Sequence, residues 1–183
     1  AQDKSLQNVN KILDIGAGTG LLSLMLAQAT ANQTSPPRIT AVEIENDAAK
    51  EASANFTLSP WTERLHLVHQ SIQHFSKKVS NEKFDIIISN PPYIPMGDPH
   101  LTKGDLRFEP ESALTDFDDG LKAYRTIISG AKNYLSSHGL IALEHGYDQS
   151  IAVTGLLKEQ GLIDIQIHHD LAGIPRAASA KLS

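Results

Sequence analysis

The sequence predicts an α/β fold with a mostly parallel sheet, and three observations lead to this prediction. Apolar, strand-like runs alternate with segments of helical periodicity along most of the chain, which is typical of parallel strands joined by crossover helices. A glycine-rich turn follows the first apolar run, as at ligand-binding edges of such sheets. The final segment instead alternates apolar and polar residues around a turn, which predicts an antiparallel hairpin at the sheet edge.

In the first half, short apolar runs bounded by turn residues predict strands, and longer amphipathic stretches predict helices. The strands are residues 11–15, 39–44, 65–69 and 84–89, and the helices are residues 19–30 and 46–55. Asn46 or Asp47 is the expected N-cap of the second helix. Pro36 and Pro37 place a loop over residues 32–38.

The second half begins with a long irregular stretch, residues 94–119, which is rich in proline and glycine. A loop of that length in a compact domain is usually functional. The elements predicted after it are a helix over 120–136, a strand over 140–144, a helix over 149–159 and a hairpin of strands 163–169 and 177–182.

Composition limits the class of protein. The chain has 183 residues, 40% of them hydrophobic and 20% charged, and no apolar run long enough for a membrane span, so we expect one globular domain. Cysteine is absent, which excludes disulfides and thiolate metal sites and favours a cytoplasmic location. The eight histidines show no metal-ligand spacing, and the net charge of −5 gives no general attraction to nucleic acid.

A glycine loop follows the first strand and comprises Gly16, Ala17, Gly18, Thr19 and Gly20. Glycine permits a positive φ and close approach of a ligand to the start of the next helix. A dinucleotide fingerprint needs its third glycine one residue later, where this chain has Leu21. With Asp14, the pattern D-x-G-x-G-x-G instead resembles the first motif of class I S-adenosylmethionine-dependent methyltransferases. Asp14 is expected to order the loop rather than to contact the cofactor.

Acidic or hydroxyl side chains end the next two strands. Glu43 could bind both ribose hydroxyls of a nucleoside or be a solvated strand-end acid, and its register with the glycine loop favours binding. Many enzymes of the resembled class have an acid after the third strand that bonds the adenine amino group. This chain has Ser71 there, which could accept one hydrogen bond, and Ile72, which could cover the adenine face.

The fourth strand runs into a tetrapeptide, Asn90, Pro91, Pro92 and Tyr93, which we call the acceptor motif. Proline fixes φ and restricts the preceding residue, so the segment presents its carbonyl oxygens in a stiff frame suited to a planar nitrogen substrate. The alternative is an ordinary turn at a strand end.

With both motifs, the chain resembles the class I methyltransferases that modify planar nitrogen, which implies a Rossmann-like, seven-stranded sheet. Residues 11–93 resemble tRNA adenine N6-methyltransferases, on residues 15–22 and 59–61. Residues 94–183 resemble HemK-type release-factor glutamine methyltransferases, on residues 98–101, 104–110, 143–146 and 170–173. A divergent natural protein and an engineered or recombined chimera would both explain the split. Nothing in this chain matches the N-terminal helical domain of the HemK type.

The resemblance implies methyl transfer from S-adenosylmethionine, leaving S-adenosylhomocysteine, to a glutamine amide of a release factor. By the family pattern, the Asn90 side-chain oxygen, next to the cofactor, and the Pro91 carbonyl accept the two amide hydrogens. Pro92 fixes the turn, Tyr93 packs against the planar group, and no strong general base or metal is required. Adenine N6 methylation of tRNA or another nucleic acid is the alternative, and a cofactor-binding domain without turnover is a third reading.

Three further polar residues have open roles. Arg107 and Glu109 could shape the glutamine pocket or form a surface ion pair. His145, after the fifth strand, could be catalytic, although a lone histidine there is more often a packing residue.

Overall fold

In the part of the chain that the structure describes, seven strands form one mixed sheet, with five parallel strands and an antiparallel pair at one edge. The computed structural model describes residues 9–78, 82–97, 114–115 and 118–183. The strands are β1 (Lys11–Ile15), β2 (Arg38–Glu43), β3 (Leu65–His69), β4 (Phe84–Ser89), β5 (Leu135–Glu144), β6 (Ile163–His169) and β7 (Pro175–Lys181), in the order β3-β2-β1-β4-β5-β7-β6. β7 pairs antiparallel with both β5 and β6. The predicted fold class is therefore confirmed.

Helices cover both faces of this sheet. Within the described residues they are α1 (Leu21–Ala29), α2 (Asn46–Leu58), α3 (Ile72–Lys78), α4 (Lys122–Tyr134) and α5 (Ser150–Glu159), with a 3₁₀ turn at Thr62–Arg64. None of these helices is long and apolar enough to span a membrane. α4 buries residues spaced three and four apart, from Tyr124 through Ile127 and Ile128 to Ala131, so it lays a continuous apolar stripe on the sheet.

The central strands are buried on both faces. Ile87 of β4 belongs to the main core formed with α4 and α5, whereas Ile86 and Ile88 pack with Ala27 of α1 on the opposite side. Alternate residues of a strand point to opposite faces, which explains why β4 is apolar almost throughout. Burial of the sheet between helices leaves its carboxyl edge as the place where parallel strands bind ligands.

Several predicted boundaries are wrong, although β1, β3, β4 and β6 match their predictions. α1 begins at Leu21 rather than Thr19, since Gly20 has φ +83°, outside the helical region. The N-cap of α2 is Glu45, without a side-chain cap bond, rather than Asn46 or Asp47, and that helix continues past residue 55 to Leu58.

The sequence prediction missed one helix and shortened one strand. α3 follows Ser71 directly, where no helix was expected. β5 begins at Leu135 rather than 140 and contains His138 with φ +63°, an irregularity that interrupts the apolar pattern. The long predicted loop is described in part. Its beginning and its end lie side by side there, and the Ile94 N–H bonds to the Leu114 carbonyl at 2.9 Å. Arg107, Glu109 and the motifs at 98–101 and 104–110 lie outside the described residues.

Candidate active site

The glycine loop and the acceptor motif begin next to each other at the carboxyl edge of the sheet. β1 and β4 are neighbouring parallel strands, and Ile15 is paired with Ser89. Gly16 follows the first of these residues and Asn90 follows the second. The buried Ser89 hydroxyl also donates a 2.6 Å hydrogen bond to the Ile15 carbonyl. Two motifs that are far apart in the sequence therefore start from one fixed point.

A cleft of about 320 Å³ opens at this edge, between α3 and α4. Five residues of the predicted site line it: Gly16, Ser71, Ile72, Pro91 and Pro92. Ile44, Gln70, Ser89, Lys122 and Thr126 also line it and were not predicted. A second cavity, of about 370 Å³, includes Lys11 and Arg38 at the beginnings of β1 and β2. Lys11 and Arg38 lie at the end of the sheet opposite to the edge where parallel sheets bind ligands, although Gln70 lines both cavities.

The three glycines of the loop have different reasons to be glycine. All have positive φ, +70° at Gly16, +56° at Gly18 and +83° at Gly20. A Cβ on Gly20 would lie 2.5 Å from the Phe56 ring, so this position is required for packing. A Cβ on Gly16 or Gly18 would meet nothing within 4 Å, so open space lies above the loop, where a nucleoside cofactor would fit.

The other two residues of the loop face different environments. Ala17 is buried in a small cluster with Ala41 and Phe56. Thr19 is exposed, and its carbonyl accepts a 3.0 Å hydrogen bond from the Asn55 amide. The loop is thus anchored to α2 by side-chain contacts, while Gly16 and Gly18 remain open.

Glu43 is buried and holds the glycine loop. Its Oε2 accepts a 2.7 Å hydrogen bond from the Gly18 N–H, and its Oε1 accepts from the N–H groups of Ile44 and Glu45 at 2.7 and 2.8 Å. The solvated-acid alternative is therefore wrong, since only 6% of Glu43 is exposed. Among the described residues Oε2 accepts one hydrogen bond, and a carboxylate oxygen can accept two, so Oε2 has the capacity for one further hydrogen bond.

Asp14 lies beneath the loop and supports the start of α1. Its Oδ2 accepts a 2.7 Å hydrogen bond from the Ser23 hydroxyl, in the first turn of that helix. Burial raises the pKa of Asp14 to about 6, the hydrogen bonds from the Ser23 hydroxyl and N–H oppose that shift, and the nearby Glu43 charge adds to it. Only 1% of Asp14 is exposed, so its contacts support the loop-ordering role expected from the sequence.

Ser71 and Ile72 lie at the start of α3. The Ser71 hydroxyl accepts a 3.3 Å hydrogen bond from the His74 N–H and is 2.8 Å from His74 Nδ1, so Ser71 acts as an N-cap. Ile72 is half-buried, packs against the main core and lines the cleft. Both residues line the cleft, and the Ser71 hydroxyl is already engaged by its own helix.

The acceptor motif changes from exposed to buried along its length. The Asn90 side chain is exposed, and none of the described residues hydrogen-bonds to its amide. Pro91 is buried, while Pro92 and Tyr93 are half-buried, with Tyr93 packed against the main core. Asn90 thus exposes its amide beside Pro91 and Pro92, which line the cleft, and neither Asn90 nor Tyr93 is among the lining residues.

His145 is fully buried, as a packing residue would be. It is 0% exposed, and its Nδ1 lies 2.8 Å from the Gly146 carbonyl oxygen. Its Nε2 contacts no hydrogen-bond partner in the described part of the chain. Three carboxylate or imidazole side chains do not come together as a metal-ligand group anywhere in the described ranges.

Sequence reasoning missed three supporting residues: Ser23, Ser89 and Gln149. The Ser89 hydroxyl bonds to the Ile15 carbonyl, and the Ser23 hydroxyl bonds to the Asp14 carboxylate. The Gln149 amide bonds to the Tyr93 carbonyl. The signal available for Ser89 was a small polar residue at the end of an otherwise apolar strand. Gln149 had no comparable signal, because its partners are backbone atoms distant in sequence.

Curated relatives align along nearly the whole chain. Two of the most similar are named release factor glutamine methyltransferase. The protein from Neisseria gonorrhoeae is 40% identical over 93% of this chain and 60% of its own length. The protein from Burkholderia pseudomallei is 39% identical over 93% and 59%. The chain thus spans about three fifths of these relatives. Their alignments cross residue 93, so one class of relative accounts for both segments of the split resemblance.

Solved structures and a family model agree with the fold. A methyltransferase from Pyrococcus furiosus superposes with a TM-score of 0.63 at 20% identity, covering 96% of this chain and 76% of that one. An O-methyltransferase from Bacillus cereus in complex with SAH gives 0.67 at 14% identity, covering 98% and 76%. At such identities the likeness concerns the fold alone. The model of the methyltransferase small domain matches residues 3–102, more than half of the sequence, and the chain therefore belongs to the methyltransferase small domain family.

Proposed function

We propose that this chain is the catalytic domain of an S-adenosylmethionine-dependent N-methyltransferase whose acceptor is a glutamine side-chain amide in a peptide chain release factor. One observation carries the proposal: the exposed Asn90 amide and the open glycine loop start from the paired residues Ser89 and Ile15. A methyl donor on the loop and a planar nitrogen on Asn90 would then be neighbours. The names of the relatives support glutamine as the acceptor.

The loop and its partners form the cofactor side of the proposed site. When bound, S-adenosylmethionine supplies an electrophilic methyl group on a sulfonium centre. Gly16 and Gly18 leave room for its close approach, and Glu43 Oε2 accepts a ribose hydroxyl beside the Gly18 N–H. Ser71 and Ile72 cover the adenine side of the cleft. Asp14 holds the start of α1 without contacting the cofactor.

The acceptor motif forms the other side. An amide nitrogen is a weak nucleophile because its lone pair is delocalised into the carbonyl. The Asn90 side-chain oxygen and the Pro91 carbonyl accept its two hydrogens, which polarises the amide and fixes the direction of the nitrogen. The Tyr93 ring packs against the planar amide group of the substrate. Positioning of this kind contributes much of the rate when the reacting atoms are held at close distance.

Adenine is the alternative acceptor, since its exocyclic amine offers the same two hydrogens and a flipped base can stack on an aromatic ring. Residues 11–93 resemble the tRNA enzymes, which is the observation in its favour. Among the described residues that line the cleft, however, Lys122 is the one basic side chain. Nucleic-acid sites usually gather several cations near the pocket. Glutamine is therefore the preferred acceptor.

The test supplies labelled S-adenosylmethionine to the chain with a purified release factor or with tRNA, and measures label in each. We expect label in the release factor, on glutamine when the peptide is sequenced by mass spectrometry, and none in tRNA. A release factor whose acceptor glutamine is replaced by alanine serves as the control. Label in tRNA alone would support the adenine alternative. Cofactor binding by calorimetry without label in either would indicate a domain without turnover and overturn the proposal.

A further inference from the structure

We propose that Gln149 is a positioning residue for the acceptor motif, holding the Tyr93 end of that motif through its side-chain amide. This inference rests on the proposed function, since it assigns to Gln149 a role in presenting the methyl acceptor. Gln149 is half-buried and immediately precedes α5. It lies 56 residues from Tyr93 in the sequence.

One side-chain amide joins three backbone segments. Its Nε2 donates to the Tyr93 carbonyl at 2.9 Å and to the Gly120 carbonyl at 3.2 Å. Its Oε1 accepts from the Gly146 N–H at 3.0 Å. Both N–H groups and the oxygen of the amide are used, so the site matches the chemistry of glutamine. Glutamate would place an oxygen against two carbonyl oxygens, and leucine would offer no donor.

Gly120 shows how closely these segments approach. It has φ +78°, and a Cβ there would lie 2.5 Å from the Tyr93 carbonyl oxygen and 2.9 Å from Gln149 Nε2. A side chain at this position would therefore displace the same carbonyl that Gln149 holds. Two independent features, a hydrogen bond and a close backbone approach, fix the Tyr93 carbonyl.

The acceptor motif is consequently held at both ends. Upstream, the Ser89 hydroxyl bonds to the Ile15 carbonyl at 2.6 Å. Downstream, Gln149 bonds to the Tyr93 carbonyl, and the Ile94 N–H bonds to the Leu114 carbonyl at 2.9 Å. The two prolines between these ends have fixed φ. Because these two φ angles are fixed, the backbone has fewer rotations with which to absorb a movement of the Tyr93 end, and we expect that movement to shift the Asn90 and Pro91 acceptors.

The principal test compares Gln149→Glu with Val153→Ala. The glutamate keeps the acceptor for the Gly146 N–H but loses the donors to Tyr93 and Gly120. We expect kcat to fall roughly 10- to 100-fold, the loss that a small misplacement of reacting groups produces, with the dissociation constant of the cofactor changed less than about twofold. Val153 is fully buried on α5, and its truncation lowers stability but removes none of the hydrogen bonds that hold the Tyr93 carbonyl, so its kcat should stay near that of the parent.

A pH profile adds a signature that simple destabilisation does not produce. A protonated carboxyl group regains one O–H donor, so the activity of Gln149→Glu relative to the parent should rise as the pH falls through the pKa of the introduced carboxyl. Gln149→Leu, which has no titratable group, should show no such recovery. Equal relative profiles for the two variants would contradict the role of the donor.

Hydrogen exchange separates this inference from the proposed function, since it needs no acceptor. In Gln149→Glu the Ile94 N–H should exchange at least about tenfold faster than in the parent, whereas amides in the middle of α5 should keep their protection. If the parent methylated no supplied acceptor, the proposed function would fail and this readout would still decide the role of Gln149. Parent-like exchange at Ile94, parent-like kcat, or an equal kcat loss in Val153→Ala would overturn the inference.

Discussion

The Ser89 hydroxyl donates a 2.6 Å hydrogen bond to the carbonyl oxygen of Ile15, its partner in the register between β4 and β1. Both groups are buried, and each stands one residue before a predicted binding motif. A side-chain bond added to the backbone ladder at the last paired position limits fraying of the two strand ends. The spacing between the glycine loop and Asn90 is thereby set by the sheet rather than by the loops themselves.

Removal of the Asn90 amide should abolish methyl transfer while leaving the cofactor bound. The side chain is exposed and bonds to no described residue, so Asn90→Ala should change stability by less than about 0.5 kcal/mol. Loss of a preorganised polar group costs about 100- to 1000-fold in kcat. Turnover and calorimetric cofactor affinity measured on the same preparations check both halves of the prediction. A variant with parent-like turnover would remove Asn90 from the proposed mechanism.

Glu43→Gln should weaken both the glycine loop and cofactor binding. The three backbone N–H groups of Gly18, Ile44 and Glu45 point at two carboxylate oxygens, and a glutamine has one acceptor oxygen, so at least one N–H loses its partner. We expect a loss of about 1–3 kcal/mol in the free energy of unfolding and a cofactor dissociation constant raised by roughly tenfold or more.

The exposed Glu45 provides the matched control for that substitution. Glu45→Gln makes the same chemical change two residues away, and the Glu45 contribution to the loop is its backbone N–H, which the substitution retains. Stability by chemical denaturation and affinity by calorimetry should both stay near the parent values. Equal effects from the two substitutions would indicate a general charge effect and would contradict the ribose contact.

The sheet was predictable because its determinants are local. Each central strand is a short apolar run, and β4 is buried on both faces, so its sequence is almost continuously apolar. The glycine loop was equally visible, since positive φ at Gly16, Gly18 and Gly20 restricts the residue type. Elements whose residue types are restricted by burial or by backbone conformation can therefore be predicted from the sequence alone.

Features that depend on tertiary contacts were not predictable. Ser71 stands both at a strand end and at the start of α3, and its hydroxyl caps that helix, a role that the sequence pattern did not separate from cofactor binding. Gln149 is polar, half-buried and defined by bonds to distant carbonyl groups. Such bonds leave no periodicity in the sequence and become visible only when the segments are brought together.

Alanine at two glycines of the loop should separate packing from binding. Gly20→Ala places a Cβ 2.5 Å from the Phe56 ring at φ +83°, so stability should fall by more than the 1–2 kcal/mol that a left-handed residue costs. Gly18→Ala meets open space at φ +56°, so its stability loss should stay near about 1 kcal/mol. Its Cβ would instead occupy the space above the loop.

The two variants are therefore expected to rank in opposite order for stability loss and for loss of cofactor affinity. Thermal unfolding should rank Gly20→Ala as the less stable variant, whereas calorimetry at a temperature where both are folded should show the weaker cofactor binding in Gly18→Ala. Unchanged affinity in Gly18→Ala would mean that the cofactor does not approach this part of the loop.

Asp14 should make the protein less stable as the pH rises from about 4 to about 6. Burial raises its pKa to about 6 from an ordinary value of 3.8, so between these values the folded state keeps a proton that the unfolded state has lost. Stability falls with pH wherever the folded state binds more protons, and this shift corresponds to about 3 kcal/mol. Asp119 and Asp170 act in the opposite sense and at lower pH, because hydrogen bonds from Arg125 and from the Ile174 N–H lower their pKa values.

Asp14→Asn isolates this contribution, because it keeps an oxygen acceptor for the Ser23 hydroxyl and cannot ionise. The difference in unfolding free energy between variant and parent should shift in favour of the variant by about 2 kcal/mol between pH 4 and pH 7. Other titrating groups cancel in that difference. Ser23→Ala should extend the decline to higher pH, since it removes the hydroxyl hydrogen bond that lowers the Asp14 pKa and keeps the one from the backbone N–H. A difference independent of pH would show that the Asp14 pKa is the same in the folded and the unfolded protein, so that burial does not raise it.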